Sequence, residues 1–211
     1  IDLSVIWFVI IVFATLMYIV MDGFDLGIGM VFSFVPNANE RDVMMNSVAP
    51  VWDGNETWLV LGGAGLFGAF PLAYAVIADA LTIPLTAMLI GLIFRGVAFE
   101  FRFKATPSHQ KFWDYSFVGG SLLATFSQGI VVGAVISGFD VADRRFIGSA
   151  LDWLTPFSLF CGLGLVVAYT LLGTTWLIMK SEGALQQRMR ELTRRTLLAL
   201  LAVIAVVSVW T

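Results

Sequence analysis

The sequence has 211 residues, of which 59% are hydrophobic and 13% charged, and its formal net charge is −3. With a mean hydropathy of +0.90, it exceeds what a water-soluble fold can bury. Its composition is also the opposite of a disordered chain, and it has no basic footprint for nucleic acid.

A membrane-spanning helix needs about 20 mostly apolar residues. Leu3 to Met21 meets this at once, and the apolar character runs on to Phe34. The start is acidic, at Asp2, whereas a cleavable signal peptide starts basic, so this span is read as retained. A second span is predicted from Glu56 to Phe70 and a third from Tyr74 to Phe103, with the turn between them inside Pro71 to Asp79. The fourth runs from Tyr115 to Ile136 and the fifth from Trp153 to Ile178. The sixth begins near Thr196 and is still apolar at Thr211, so more chain is expected to follow. The predicted fold is an all-α integral membrane protein with six helices. Residues 1–136 form a first four-helix bundle, and residues 153–211 open a second. Strands of a membrane barrel would alternate apolar and polar residues, and these runs do not.

Six spans place the first, third and fifth loops on one side. That side carries Arg41, Arg102, Lys104, Lys111, Lys180, Arg188, Arg190, Arg194 and Arg195, against Arg144 and Arg145 on the other. The asymmetry makes the odd loops cytoplasmic and the N-terminus external. Lys180 to Arg195 reads as a basic cytoplasmic linker between the bundles. Trp58, Trp113, Trp153 and Trp176 flank spans as interfacial residues do. Gly23…Gly27 and Gly129…Gly133 are small-residue pairs that let membrane helices approach, here within the chain rather than between copies.

Ionisable groups inside spans are costly and usually face a protein or water-lined interior. Three clusters qualify. Asp22 and Asp25 sit three apart, on one helical face, with apolar sequence resuming beyond them. Trp52, Asp53, Asn55 and Glu56 crowd the start of the second span. There Asp53 either caps the helix, with Glu56 as its box partner, or belongs to a functional group. Arg95 lies two turns deeper than Arg102 in the third span, and needs a partner among Asp22, Asp25, Asp53 and Glu56. Arg102 and Lys104 can snorkel to the interface, and Glu100 and Lys104 can pair. All three clusters fall on the cytoplasmic half. Burial and a nearby guanidinium act oppositely on a carboxylate's proton affinity, which is the condition for proton relay.

Other candidates are weaker. His109 is expected in solvent, Cys161 in helix packing, and Asp79, Asp114, Asp140 and Asp152 near helix ends. One histidine excludes bis-histidine haem ligation within the chain, and one cysteine excludes an internal disulfide. No ligand spacing marks a metal site.

Asp22-Gly23-Phe24-Asp25-Leu26-Gly27, Ala49-Pro50-Val51-Trp52-Asp53-Gly54-Asn55-Glu56-Thr57-Trp58, and Phe94-Arg95-Gly96 with Glu100-Phe101-Arg102 resemble the N-terminal part of subunit II of the cytochrome bd quinol oxidases. The sharp motifs lie within residues 22–102, and the span pattern extends the resemblance over the chain. The family's subunit is longer, with two four-helix bundles. The resemblance implies a bacterial or archaeal inner-membrane heterodimer that oxidises quinol and reduces dioxygen to water, building a membrane potential without pumping. It places haem b and haem d in the partner subunit I and none in this chain. It also implies a proton path through Asp22, Asp25, Asp53 and Glu56, with Asp53 central. Asn55, Arg95 and Glu100 would support the path, and Trp52 would pack near the partner's haems. A structural quinone and small single-span subunits are compatible with it. Two alternatives from the residues alone are a secondary transporter half with intramembrane carboxylates and a purely structural membrane subunit.

Overall fold

The computed structural model describes residues 2–211. α1 (Leu3–Val31) continues into a 3-10 turn (Phe32–Phe34). α2 (Ala38–Val48), α3 (Trp52–Ala69), α4 (Pro71–Ala80), α5 (Thr82–Arg102), α6 (Pro107–Ser137), α7 (Pro156–Lys180) and α8 (Gly183–Trp210) follow. Among the described residues five helices are long and apolar enough to cross a membrane, or six if the bent pair α3–α4 counts as one span. The all-α membrane bundle is therefore as expected.

Several boundaries differ from the sequence reading. The predicted third span, Tyr74 to Phe103, is two helices, since α4 ends at Ala80 and α5 begins separately at Thr82. Ahead of it α3 turns through 119° into α4. The bend falls at Phe70, whose ψ of 61° is non-helical, because Pro71 has no N–H to continue the ladder and disfavours the helical conformation before it. α2 lies in the stretch that the sequence presents as the first loop. It is a short helix whose Met44, Met45 and Val48 are buried under the end of the bundle. The basic stretch from Lys180 to Arg195 is not a linker, since α8 starts at Gly183 and runs straight through it. A two-residue hairpin, Val141–Ala142 with Arg145–Phe146, lies in the loop before α7.

Glycines set the helix spacing. A Cβ on Gly27 would collide with the Tyr169 carbonyl and the Gly173 amide of α7, and one on Gly29 with the Ser121 hydroxyl of α6. Gly91 and Gly120 hold α5 against α6 in the same way, and Gly129 meets Cys161 and Gly162 of α7. The small-residue pairs thus serve packing within the chain. α1 is consequently two-zoned. Every residue from Asp22 to Val31 is buried, whereas Leu3, Phe8, Phe13 and Leu16 are exposed.

Candidate functional site

The buried half of α1 carries the acids. Asp22 and Asp25 are fully buried, and Arg95 reaches them from α5 with 0% exposure of its own. Its Nη1 lies 3.4 Å from Asp22 Oδ1, and its Nη2 lies 3.7 Å from Asp25 Oδ2. Glu56, at the start of α3 and 25% exposed, brings Oε2 to 3.7 Å from the same Nη1. Asn55 donates from Nδ2 to Asp25 Oδ2 at 2.8 Å and to the Met21 carbonyl at 3.3 Å. One guanidinium therefore gathers three carboxylates from two helices. Left unpaired, each charge would cost about 2.5–3.5 kcal/mol at mid-membrane, so the cluster is what makes its members tolerable there.

The contacts are ion pairs rather than close hydrogen bonds. Arg95 Nε, Nη1 and Nη2, both Asp22 oxygens and Asp25 Oδ1 have no protein hydrogen-bond partner. Fully ionised, the four groups sum to −2. One carboxylate balances Arg95, which leaves two without a counter-charge in the cluster. The Arg95 guanidinium also sits 5.4 Å from the Phe99 ring, and Phe99 stacks on Trp52 at 5.0 Å.

The remaining predicted residues lie elsewhere. Asp53 is exposed in the first turn of α3 and makes no ion pair among the described residues. It does not cap the helix either, because the N-cap is Val51 and no side chain bonds there. Among the predicted partners of Arg95, then, Asp22, Asp25 and Glu56 meet it, and Asp53 does not. Glu100 pairs with Lys104 at 3.5 Å on the exposed surface, away from the acids. His109 is exposed and bonds the Thr106 hydroxyl. Among the described residues no group of His, Cys, Asp and Glu is arranged to hold a metal ion.

Arg102 does not snorkel. It is 1% exposed, and it donates from Nε to Asp114 at 2.5 Å and from Nη1 to Asp42 at 2.6 Å. Arg41 joins Asp114 at 3.0 Å and donates to the Val35 carbonyl. Asp114 is thus the knot of a clasp joining α2, α5 and α6, rather than an idle acid near a helix end. The sequence reading also missed Tyr18, Gln128 and Tyr169, which form a buried hydrogen-bonded group across α1, α6 and α7. The available signal was Ser121, Thr125 and Gln128 recurring on one face of an apolar helix.

A multi-pass helical membrane protein with an arginine-centred acid cluster is the class that this fold and site define. Residues 3–211 match the family model described as cytochrome bd terminal oxidase subunit II, and the chain belongs to that family. It is 33% identical to the cytochrome bd-I ubiquinol oxidase subunit 2 of Escherichia coli K12 over 99% of its length, covering 57% of that protein. It is 32% identical to the cytochrome bd ubiquinol oxidase subunit 2 of Bacillus subtilis 168, over 90% of this chain and 57% of the relative. The chain thus spans little more than half the length of these relatives. The solved bd oxidase of Geobacillus thermodenitrificans matches with a TM-score of 0.80 at 20% identity, over 98% of this chain and 66% of that one. That likeness shows a shared fold.

Proposed function

We propose that this chain acts as the non-haem subunit of a terminal oxidase that takes electrons from quinol and reduces dioxygen to water. In this reading it stabilises a haem-bearing subunit I and supplies protons from the cytoplasm. The haems, b and d type, belong to that partner and perform the redox chemistry. Family membership favours this reading over a transporter half. Residues 1–136 would complete one four-helix bundle and residues 153–211 open the next, with the basic loops in the cytoplasm.

The observation that carries the proton role is the contrast between two arginines on one helix. Arg102 is spent in close hydrogen bonds. Arg95 holds Asp22, Asp25 and Glu56 by charge alone, and both Asp22 oxygens and Asp25 Oδ1 keep their hydrogen-bonding capacity open. A proton site needs such spare capacity, and a structural ion pair does not. The groups are also graded in depth. Asp53 is exposed, Glu56 is partly exposed three residues on, and Asp25 and Asp22 are buried. Asp53 then serves as the mouth, Glu56 as the intermediate, and Asp25 and Asp22 as the inner carriers. Arg95 keeps the assembled charge close to balance, and Asn55 fixes the Asp25 rotamer. Trp52, stacked on Phe99 above the centre, would meet the partner near its haems.

Oxygen consumption with quinol, measured on the purified complex at matched haem content, tests this. Asp25→Asn is expected to slow turnover at least about tenfold, equivalent to about 1.4 kcal/mol of barrier. Wild-type turnover in a fully haem-loaded Asp25→Asn complex overturns the proton role.

A further inference from the structure

The core holds more buried polar groups than the acid centre uses. On α6, Ser121, Thr125 and Gln128 are 0%, 0% and 7% exposed, and their spacing puts them on one face. That face meets α1 at two places. Gly29 abuts the Ser121 hydroxyl, and Gln128 Nε2 donates to the Tyr18 hydroxyl at 2.6 Å. On α1 these two contacts bracket Asp22 and Asp25, and on α6 they bracket Thr125. The acid-bearing stretch of α1 therefore runs alongside a polar stripe.

Tyr169 of α7 closes the group, donating to Gln128 Oε1 at 3.2 Å. The amide of Gln128 is then engaged at both ends. Tyr18 accepts from it, so the phenolic proton of Tyr18 remains to be donated. Asp22 lies four residues further along α1, about one helical turn, so the two buried side chains share a face of the helix. Both Asp22 oxygens lack a close hydrogen bond. A donor without an acceptor thus adjoins an acceptor without a donor, inside a membrane core where each is costly.

We propose that Tyr18 is a positioning residue for the acid centre: held by Gln128, its hydroxyl donates to Asp22 and fixes how that carboxylate faces Arg95. The consequence for turnover rests on the proton-carrying reading above, but the contact itself does not. Packing alone would be served equally by phenylalanine at 18 and leucine at 128.

The test uses the haem-loaded complex with Tyr18→Phe or Gln128→Leu, each with and without Asp22→Asn. The infrared difference across each Asp22 pair isolates the Asp22 carboxyl band in that background, whichever protonation state it holds. Tyr18→Phe is expected to shift that band and to slow turnover several-fold. Gln128→Leu is expected to shift it in the same sense by less, and it serves as the independent variant if Tyr18→Phe does not assemble. An Asp22 band unmoved by these substitutions overturns the proposal, whatever the turnover. A shifted band with wild-type turnover upholds the positioning contact and counts instead against the proton-carrying reading.

Discussion

Asn55 of α3 and Asp25 of α1, thirty positions apart, are joined by a 2.8 Å hydrogen bond inside the bundle. Through it the start of α3 is locked to the acid-bearing turn of α1. The same amide also reaches the Met21 carbonyl. Asn55→Leu should therefore leave Asp25 Oδ2 unbonded and free to rotate. About 1–3 kcal/mol of stability is expected to be lost, read as a lower midpoint in thermal unfolding of the complex, together with slower oxygen consumption.

Among the described residues Arg95 is the only cation paired with the buried acids Asp22 and Asp25. Arg95→Leu would strand Asp22 and Asp25 in the core, and breaking a buried pair costs about 3–5 kcal/mol. Loss of assembled, haem-containing complex is the expected result. Combining Arg95→Leu with Asp25→Asn removes one stranded charge and should recover part of that yield. A double variant no better than the single would show that the pairing energy lies elsewhere.

The clasp on the same helix behaves differently. Arg102→Ala should lower the thermal midpoint strongly, because it leaves Asp114 and Asp42 without their shared donor. Lys104→Ala, which removes only a 3.5 Å pair on the exposed surface, should have no measurable effect. Turnover per haem in the surviving Arg102→Ala complex should exceed that of Asp25→Asn.

Close helix approach makes its own forecast. Gly27→Leu cannot be accommodated against the Tyr169 carbonyl without parting α1 from α7, whereas a Cβ at Gly54 meets nothing within 4 Å. Overpacking costs about 1–3 kcal/mol. Gly27→Leu should thus destabilise the complex, and Gly54→Ala should leave its melting unchanged.

Orientation can be read by labelling. After Cys161→Ser, a thiol introduced by His109→Cys should react with a membrane-impermeant reagent only from the cytoplasmic face. One introduced by Asp143→Cys, in the exposed hairpin turn, should react from outside. The reverse pattern would invert the proposed topology.

Much of this was legible in the chain. Long apolar runs gave the number of spans, and misplaced charges identified the acid centre, because both follow from the cost of polarity in hydrocarbon. The break at Phe70 was not resolved, since Pro71 and the residues after it are themselves apolar and blur the turn. α2 escaped because Asn39, Glu40, Arg41 and Asp42 mask the small apolar face of Met44, Met45 and Val48. Asp53 and Glu56 looked equivalent in sequence. Only the pitch of α3 turns Glu56 toward Arg95 and leaves Asp53 outside. The Tyr18–Gln128–Tyr169 group joins residues far apart in the chain, and each alone reads as an ordinary amphipathic side chain.

Arg95 and Arg102 stand seven residues apart on α5, nearly two full turns, and so point from almost the same side of one rod. Arg102 is pinned to α2 and α6, and Gly91 seats the same rod against Gly120. The guanidinium that gathers the acids is therefore mounted on a strut fastened above and below it. A strut held at both ends resists sliding and rotation, so the Arg95 guanidinium keeps its place among Asp22, Asp25 and Glu56.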